Sequence, residues 1–146
     1  MFKRLLPATL ALMLSGCSTP IKNYLEMTPR PDYANMYLVG NFTWWEVDNK
    51  YQLVNEFGYR YVADAQLIAD GQPYEFKFID KGWSAGTNCG YAFENKDKTL
   101  YEGQWVNANC FSGFENFQFT PEKSGKFRFV IDFQDSEYPR VTVNRL

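Results

Sequence analysis

The chain of 146 residues contains no histidine. That removes the commonest general base and the commonest metal ligand. Ser-His-Asp and Cys-His nucleophile systems go with it, as do zinc sites built on imidazole. No apolar run reaches the roughly 20 residues that a membrane-spanning helix needs. Neither sign of charge dominates: 15 Lys and Arg stand against 17 Asp and Glu, a net charge of −2. Nothing in that balance points to a nucleic-acid surface. There are only three cysteines and no CxxC spacing. Internal repeats, low-complexity segments and cofactor motifs are missing too, so no cofactor or metal is expected.

What is present begins at the N-terminus. Lys3 and Arg4 precede an apolar stretch, Leu5 to Leu14, which ends in Leu14-Ser15-Gly16-Cys17. A charged start, a short apolar middle and small residues at a cut are the layout of a secretory signal peptide. The stretch is too short to span a bilayer as a single-pass anchor. The four closing residues resemble a bacterial lipobox. That resemblance implies cleavage before Cys17 and lipidation of Cys17, which would hold the mature chain to a membrane by two or three acyl chains; one chain alone binds only marginally. Ser18, rather than an aspartate, follows the cysteine, and by the same resemblance this points to the outer membrane. The expected organisation is therefore residues 1–16 as signal peptide, 17–34 as lipidated tether and 35–146 as one domain. Pro20, Pro29 and Pro31, with no apolar periodicity around them, suit a tether.

Setting Cys17 aside leaves Cys89 and Cys110. Outside the cytosol a disulfide is the default for such a pair, and closing a loop of this size should stabilise by about 3 kcal/mol in the chain-entropy account. A redox pair or metal site is the alternative, with neither CxxC nor histidine to support it.

The domain reads as β structure. Aromatic residues make up 18% of the chain, with 13 Phe, 10 Tyr and 4 Trp, and such residues favour strands. Met36–Asn41 and Tyr51–Val54 are short strand candidates. Tyr59–Ile68 alternates, as do Tyr74–Ile79 and Phe127–Phe133, the mark of half-buried strands. Val141–Asn144 closes the domain. Asp70-Gly71-Gln72-Pro73, between two alternating runs, reads as a hairpin connection. Residues 82–114 read as an irregular excursion pinned by the two cysteines. About seven to eight short strands in this length predict an all-β, immunoglobulin-like antiparallel β-sandwich.

Three segments together resemble glycogen- and starch-binding carbohydrate-binding modules of the kind attached to pullulanases. Tyr37-Leu38-Val39-Gly40-Asn41-Phe42-Thr43-Trp44-Trp45 resembles their opening strand and turn. Gly71–Trp83, containing Tyr74-Glu75-Phe76-Lys77-Phe78 and Asp80-Lys81-Gly82-Trp83, resembles their central hairpin, in which a turn leads into an aromatic–Lys–aromatic strand. Gly125–Asp132 with Pro139–Val143 resembles their closing strand pair. The resemblance implies that Trp45 and Trp83 stack on glucose rings, with Lys77 and, more weakly, Asn116 donating or accepting hydrogen bonds at sugar hydroxyls. Trp44 is an additional ring beside Trp45, and Thr43 stands where those modules usually carry asparagine. Stacking suits tryptophan chemically, since a large flat ring meets the C–H face of a sugar and carries one polar handle. The plainer readings are that the tryptophans fill the core and that Lys77 is a solvated strand lysine; Trp105 fits either class. Glu46 and Asp48 are close in sequence but read as solvated turn acids, so no catalytic residue is expected. The leading functional expectation is an outer-membrane-anchored, non-catalytic module that binds α-glucan-like polysaccharide. The alternative is an envelope lipoprotein that serves as an interaction, assembly or accessory factor in a secretion or outer-membrane complex.

Overall fold

The alternating runs become strands of two sheets that share one aromatic core. The computed structural model describes Gly16 and residues 29–146; the signal-like segment, Cys17 and most of the tether lie outside the described residues. The strands are β1 (Met36–Gly40), β2 (Val54–Phe57), β3 (Arg60–Leu67), β4 (Tyr74–Asp80), β5 (Asn88–Tyr91), β6 (Thr99–Leu100), β7 (Val106–Asn109), β8 (Phe117–Phe119), β9 (Gly125–Asp132) and β10 (Arg140–Arg145). One helical turn, α1 (Glu94–Asp97), and three 3-10 turns complete the described elements.

In the first sheet β4 is central. It pairs with β1 along one edge and with β8 and β5 in succession along the other, and β6 adds to β8 in parallel. The second sheet runs β2-β3-β9-β10-β7, antiparallel throughout. β5 pairs with β7 and joins the sheets at a corner, and the Cys89–Cys110 disulfide forms at that corner, as expected from the cysteine count. The expected all-β sandwich is therefore present, with ten strands among the described residues against an expectation of seven to eight; of those without a sequence signal, β5, β6 and β7 lie in the excursion between residues 82 and 114 and β8 follows it.

The inner faces meet through phenylalanines. Phe76 on β4 stacks on Phe117 at 5.2 Å and meets Phe129 of the opposite sheet edge-to-face at 4.8 Å. Phe78, Phe119, Phe127 and Phe133 are also fully buried. Each such ring contributes about 1.5–3 kcal/mol by leaving water, so these rings dominate the apolar stabilisation. The core begins at Tyr33, whose ring stacks on Phe133 at 3.7 Å.

Three sequence expectations need correction. Asp70–Pro73 does not close a hairpin: β3 pairs with β2 and β9, β4 pairs with β1, β5 and β8, and the segment crosses from one sheet to the other. Both strands already have partners on each edge, which alternation alone does not reveal. The second strand starts at Val54, because Asn49–Tyr51 forms a 3-10 turn whose end is capped by the Asp48 side chain, which accepts from Lys50 N at 2.8 Å. Finally, β4 is not half-buried: Phe76, Lys77, Phe78 and Ile79 are all buried. Something covers its outer face, and that cover forms the candidate site.

Candidate ligand-binding face

On the outer face of the first sheet, register places Tyr37 opposite Ile79 and Val39 opposite Lys77, with Asn88 of β5 continuing the row of Ile79. Two loops and one turn cover or border these residues.

The first loop is Asn41–Asp48. Gly40 ends β1 because no side chain fits there; a Cβ would lie 2.3 Å from the Glu75 carbonyl oxygen and 2.5 Å from the Phe42 ring. Thr43 then closes the turn: its hydroxyl accepts from Gly40 N and donates to Gly40 O, both at 3.0 Å. Asn41 accepts from Glu75 N at 3.3 Å. Phe42 points inward and meets Tyr51, Tyr74 and Phe129 within 6.0 Å. With the loop fixed this way, Trp45 folds back and packs with Val47 on Tyr37, Val39 and Ile79. Trp44 projects outward and is 86% exposed. Of the two adjacent rings, then, Trp44 faces solvent and Trp45 is half-buried.

The turn is Asp80–Thr87, at the far end of β4. Trp83 N donates to Asp80 O at 3.2 Å, and Ser84 N donates to the Asp80 carboxylate at 2.7 Å. Burial opposes ionisation of Asp80, but the hydrogen bonds from Ser84 and Thr87 outweigh it and hold the carboxyl below the usual range. Trp83 is 40% exposed. Beside it a shallow concavity of about 320 Å³ is lined by Asn35, Tyr37, Asp80, Lys81 and Gly82.

The backbone at these rings is unusual. Trp44, Trp45 and Trp83 have φ of 56°, 58° and 52°, and among the described residues no other non-glycine residue has positive φ. A side chain in this region costs about 1–2 kcal/mol relative to ordinary backbone. Such outliers collect at ligand sites, where the surrounding structure enforces them.

The second loop, Phe111–Asn116, lies over Lys77. The Lys77 ammonium donates to Ser112 Oγ at 2.6 Å and to the Gly113 carbonyl at 3.2 Å. Lys77 is 1% exposed, so it stands neither in solvent nor on an open platform. Burial lowers its pKa to about 8, with Glu115 partly opposing that shift. Glu115 accepts from Gly113 N at 2.7 Å; burial works against its ionisation, yet the backbone hydrogen bonds and Lys77 hold its carboxyl below the ordinary range. Lys77 thus pins this loop to the sheet. Asn116 is half-buried just before β8. Asn88, on the same outer face, keeps its amide oxygen buried without a hydrogen-bond partner among the described residues.

The structure therefore places Trp45 as a packed ring and Lys77 as a buried pin on one sheet face, with Trp44 exposed on the loop and Trp83 partly exposed on the turn that border it. Sequence reasoning missed Phe111 and Phe114, which are exposed on the second loop. The available signal was two phenylalanines flanking Ser112-Gly113 next to a cysteine, inside a segment without alternation.

No protein-family model matches the chain, and no curated protein matches it. Among solved structures the chain is similar to one described as "Ligand induced structure of AmyP-SBD", with a TM-score of 0.57 and 16% identity over 98% of this chain and 96% of that one. At that identity the likeness shows the fold: an all-β sandwich shared over nearly the full length of both chains.

Proposed function

We propose that the protein is a non-catalytic module that binds α-glucan-like polysaccharide on the outer face of its first sheet, and that it is anchored to the outer membrane through an acylated Cys17. The observation that carries the reading is the set of three tryptophans held at positive φ around that face, two of them with rings open to water. Folding alone does not require a strained, bare indole. A flat ring that meets sugar C–H faces gives such a residue a purpose. The likeness to AmyP-SBD, a starch-binding domain, supports the same ligand class. Trp83 and Trp44 would stack on glucose units, with Trp45 backing the surface. Lys77 would act beneath the surface by fixing the second loop, rather than by touching sugar. The face is open and shallow, so affinity for short oligosaccharides would be modest.

Calorimetric titration with maltoheptaose tests this reading. The wild-type chain should bind with saturation, and Trp83→Ala and Trp44→Ala should each weaken binding by about tenfold. Unchanged affinity in both variants would remove the face from the site. The alternative, an envelope protein docking by strand addition, finds its best foothold at β2. That edge is exposed throughout, Val54 and Phe57 included. However, it is short and its register shifts between Asn55 and Phe57, both of which discourage pairing with another chain.

A further inference from the structure

Phe114 is 98% exposed and Phe111 74% exposed. Bare apolar residues scattered singly need no explanation, but these two stand on one short loop that is held at several points. Its N-terminal side is Cys110, disulfide-bonded to Cys89. The Cys110 carbonyl accepts from both Gly86 N and Asn88 N, and Ser112 N donates to Asn88 O. Ser112 Oγ and the Gly113 carbonyl accept from the buried Lys77. On its C-terminal side, the Glu115 carbonyl oxygen sits so close to Gly90 that a Cβ there would lie 1.6 Å from it. A disulfide, a buried ammonium and an obligatory glycine thus hold a short loop whose two rings face water.

The loop meets the tryptophan face at Phe111 and again at Ser112-Gly113. The Phe111 ring lies 3.7 Å from where a Gly86 Cβ would stand, in the turn that carries Trp83. Ser112 and Gly113 cover Lys77, the direct cross-strand partner of Val39, on which Trp45 packs.

We propose that Phe111 and Phe114 form a second stacking position for the same glucan chain, so that the face reads several consecutive glucose units and not one or two. The inference rests on the α-glucan reading above and adds the length of chain recognised and the residues that read it. Rigid presentation matters here: a preformed apolar ring loses little freedom on binding and so returns more of its contact as affinity.

The test compares maltotriose with maltoheptaose on the full chain. Phe114→Ala and Phe111→Ala should weaken maltoheptaose binding by about five- to tenfold and leave maltotriose binding unchanged. Phe114→Trp should restore maltoheptaose affinity. Both rings already face water, so the thermal midpoint of each variant should match the wild type; this separates lost contact from lost folding. If the wild type binds maltoheptaose and both alanine variants bind it equally well, the second position is overturned while the tryptophan site stands. Equal weakening for both oligosaccharides would also overturn it, because the phenylalanines would then belong to the primary contact. A wild type that binds neither sugar would overturn the glucan reading itself, and the second position with it.

Discussion

The two outer faces of the sandwich treat tryptophan in opposite ways. On the second sheet, Trp105 meets two guanidinium groups, with Arg60 Cζ at 5.0 Å and Arg140 Cζ at 4.8 Å from its ring centre. Arg60 also covers Phe57 at 4.7 Å and pairs with Asp132 at 3.3 Å. Register places Arg60, Asp132 and Arg140 in one row across β3, β9 and β10, so the cations are set by the strands. Two cations already engage that ring, and its backbone is not among the positive-φ positions. On the first sheet, Trp44 and Trp83 have strained backbone and open rings. One face uses its ring to tie strands together; the other holds rings out at a cost. This difference, more than the mere presence of aromatic residues, is the ground on which we propose the first sheet as the binding face.

The largest expected effects concern the hold on the second loop. Gly90→Ala should destabilise the protein by several kcal/mol, since the new methyl group meets backbone that cannot move like a flexible side chain. Removing the disulfide by Cys89→Ser with Cys110→Ser should cost about 3 kcal/mol for the loop it closes. Denaturant titration reads both.

The contrast between the faces gives the next effect. Trp105→Ala should lower stability by about 1–3 kcal/mol through lost packing and cation–π contact, with glucan affinity unchanged. Trp83→Ala should do the reverse, weakening binding by about tenfold while leaving stability nearly intact. Should Trp105→Ala weaken binding as strongly as Trp83→Ala, the assignment of roles to the two faces would fail.

Lys77 sharpens the account through pH. Its folded pKa is lowered to about 8 from 10.5, so between those values the unfolded chain binds more protons than the folded one, and stability rises with pH. The cost of burying the ammonium is therefore fully present below about pH 8 and is relieved as pH climbs toward 10.5. In Lys77→Met this contribution is absent. Wild-type stability measured against that variant should thus improve steadily from pH 8 upward; parallel pH curves for the two proteins would mean that Lys77 does not titrate in this window. The smallest effect concerns the strain itself. Trp44→Gly should raise stability by about 0.5–1 kcal/mol, since relief of positive φ exceeds the added unfolded-state freedom, and should weaken glucan binding at the same time.

Much of this was legible in the sequence, and the remainder failed for physical reasons. The alternation of Phe127, Phe129 and Ile131 and of Tyr74, Phe76 and Phe78 marks strands because a period of two is what one buried face imposes. The cysteine pair could be read from the count. The hairpin at Asp70–Pro73 could not be judged correctly, because a turn signal reports that the chain reverses and not which sheet it enters. Lys77 was misjudged as solvated or sugar-facing for a related reason. Its exposure depends on Ser112 and Gly113, which arrive from 35 and 36 residues away in a segment with no pattern to place them. Trp44 and Trp45 were picked out as a pair, but which one faces water follows from Thr43 closing on Gly40 and from Phe42 entering the core. These are local contacts that residue type alone does not order.

The central claim is that the open tryptophans of the first sheet meet glucan. Intrinsic tryptophan fluorescence of the chain, titrated with maltoheptaose and glycogen beside cellulose and dextran, tests it most directly. The account predicts a saturable change in emission with the α-1,4-glucans alone, shifted to about tenfold higher glucan concentration in Trp83→Ala and kept in Trp105→Phe. A flat response to every glycan from the folded, disulfide-bonded protein would contradict it and leave the bare rings to a protein partner.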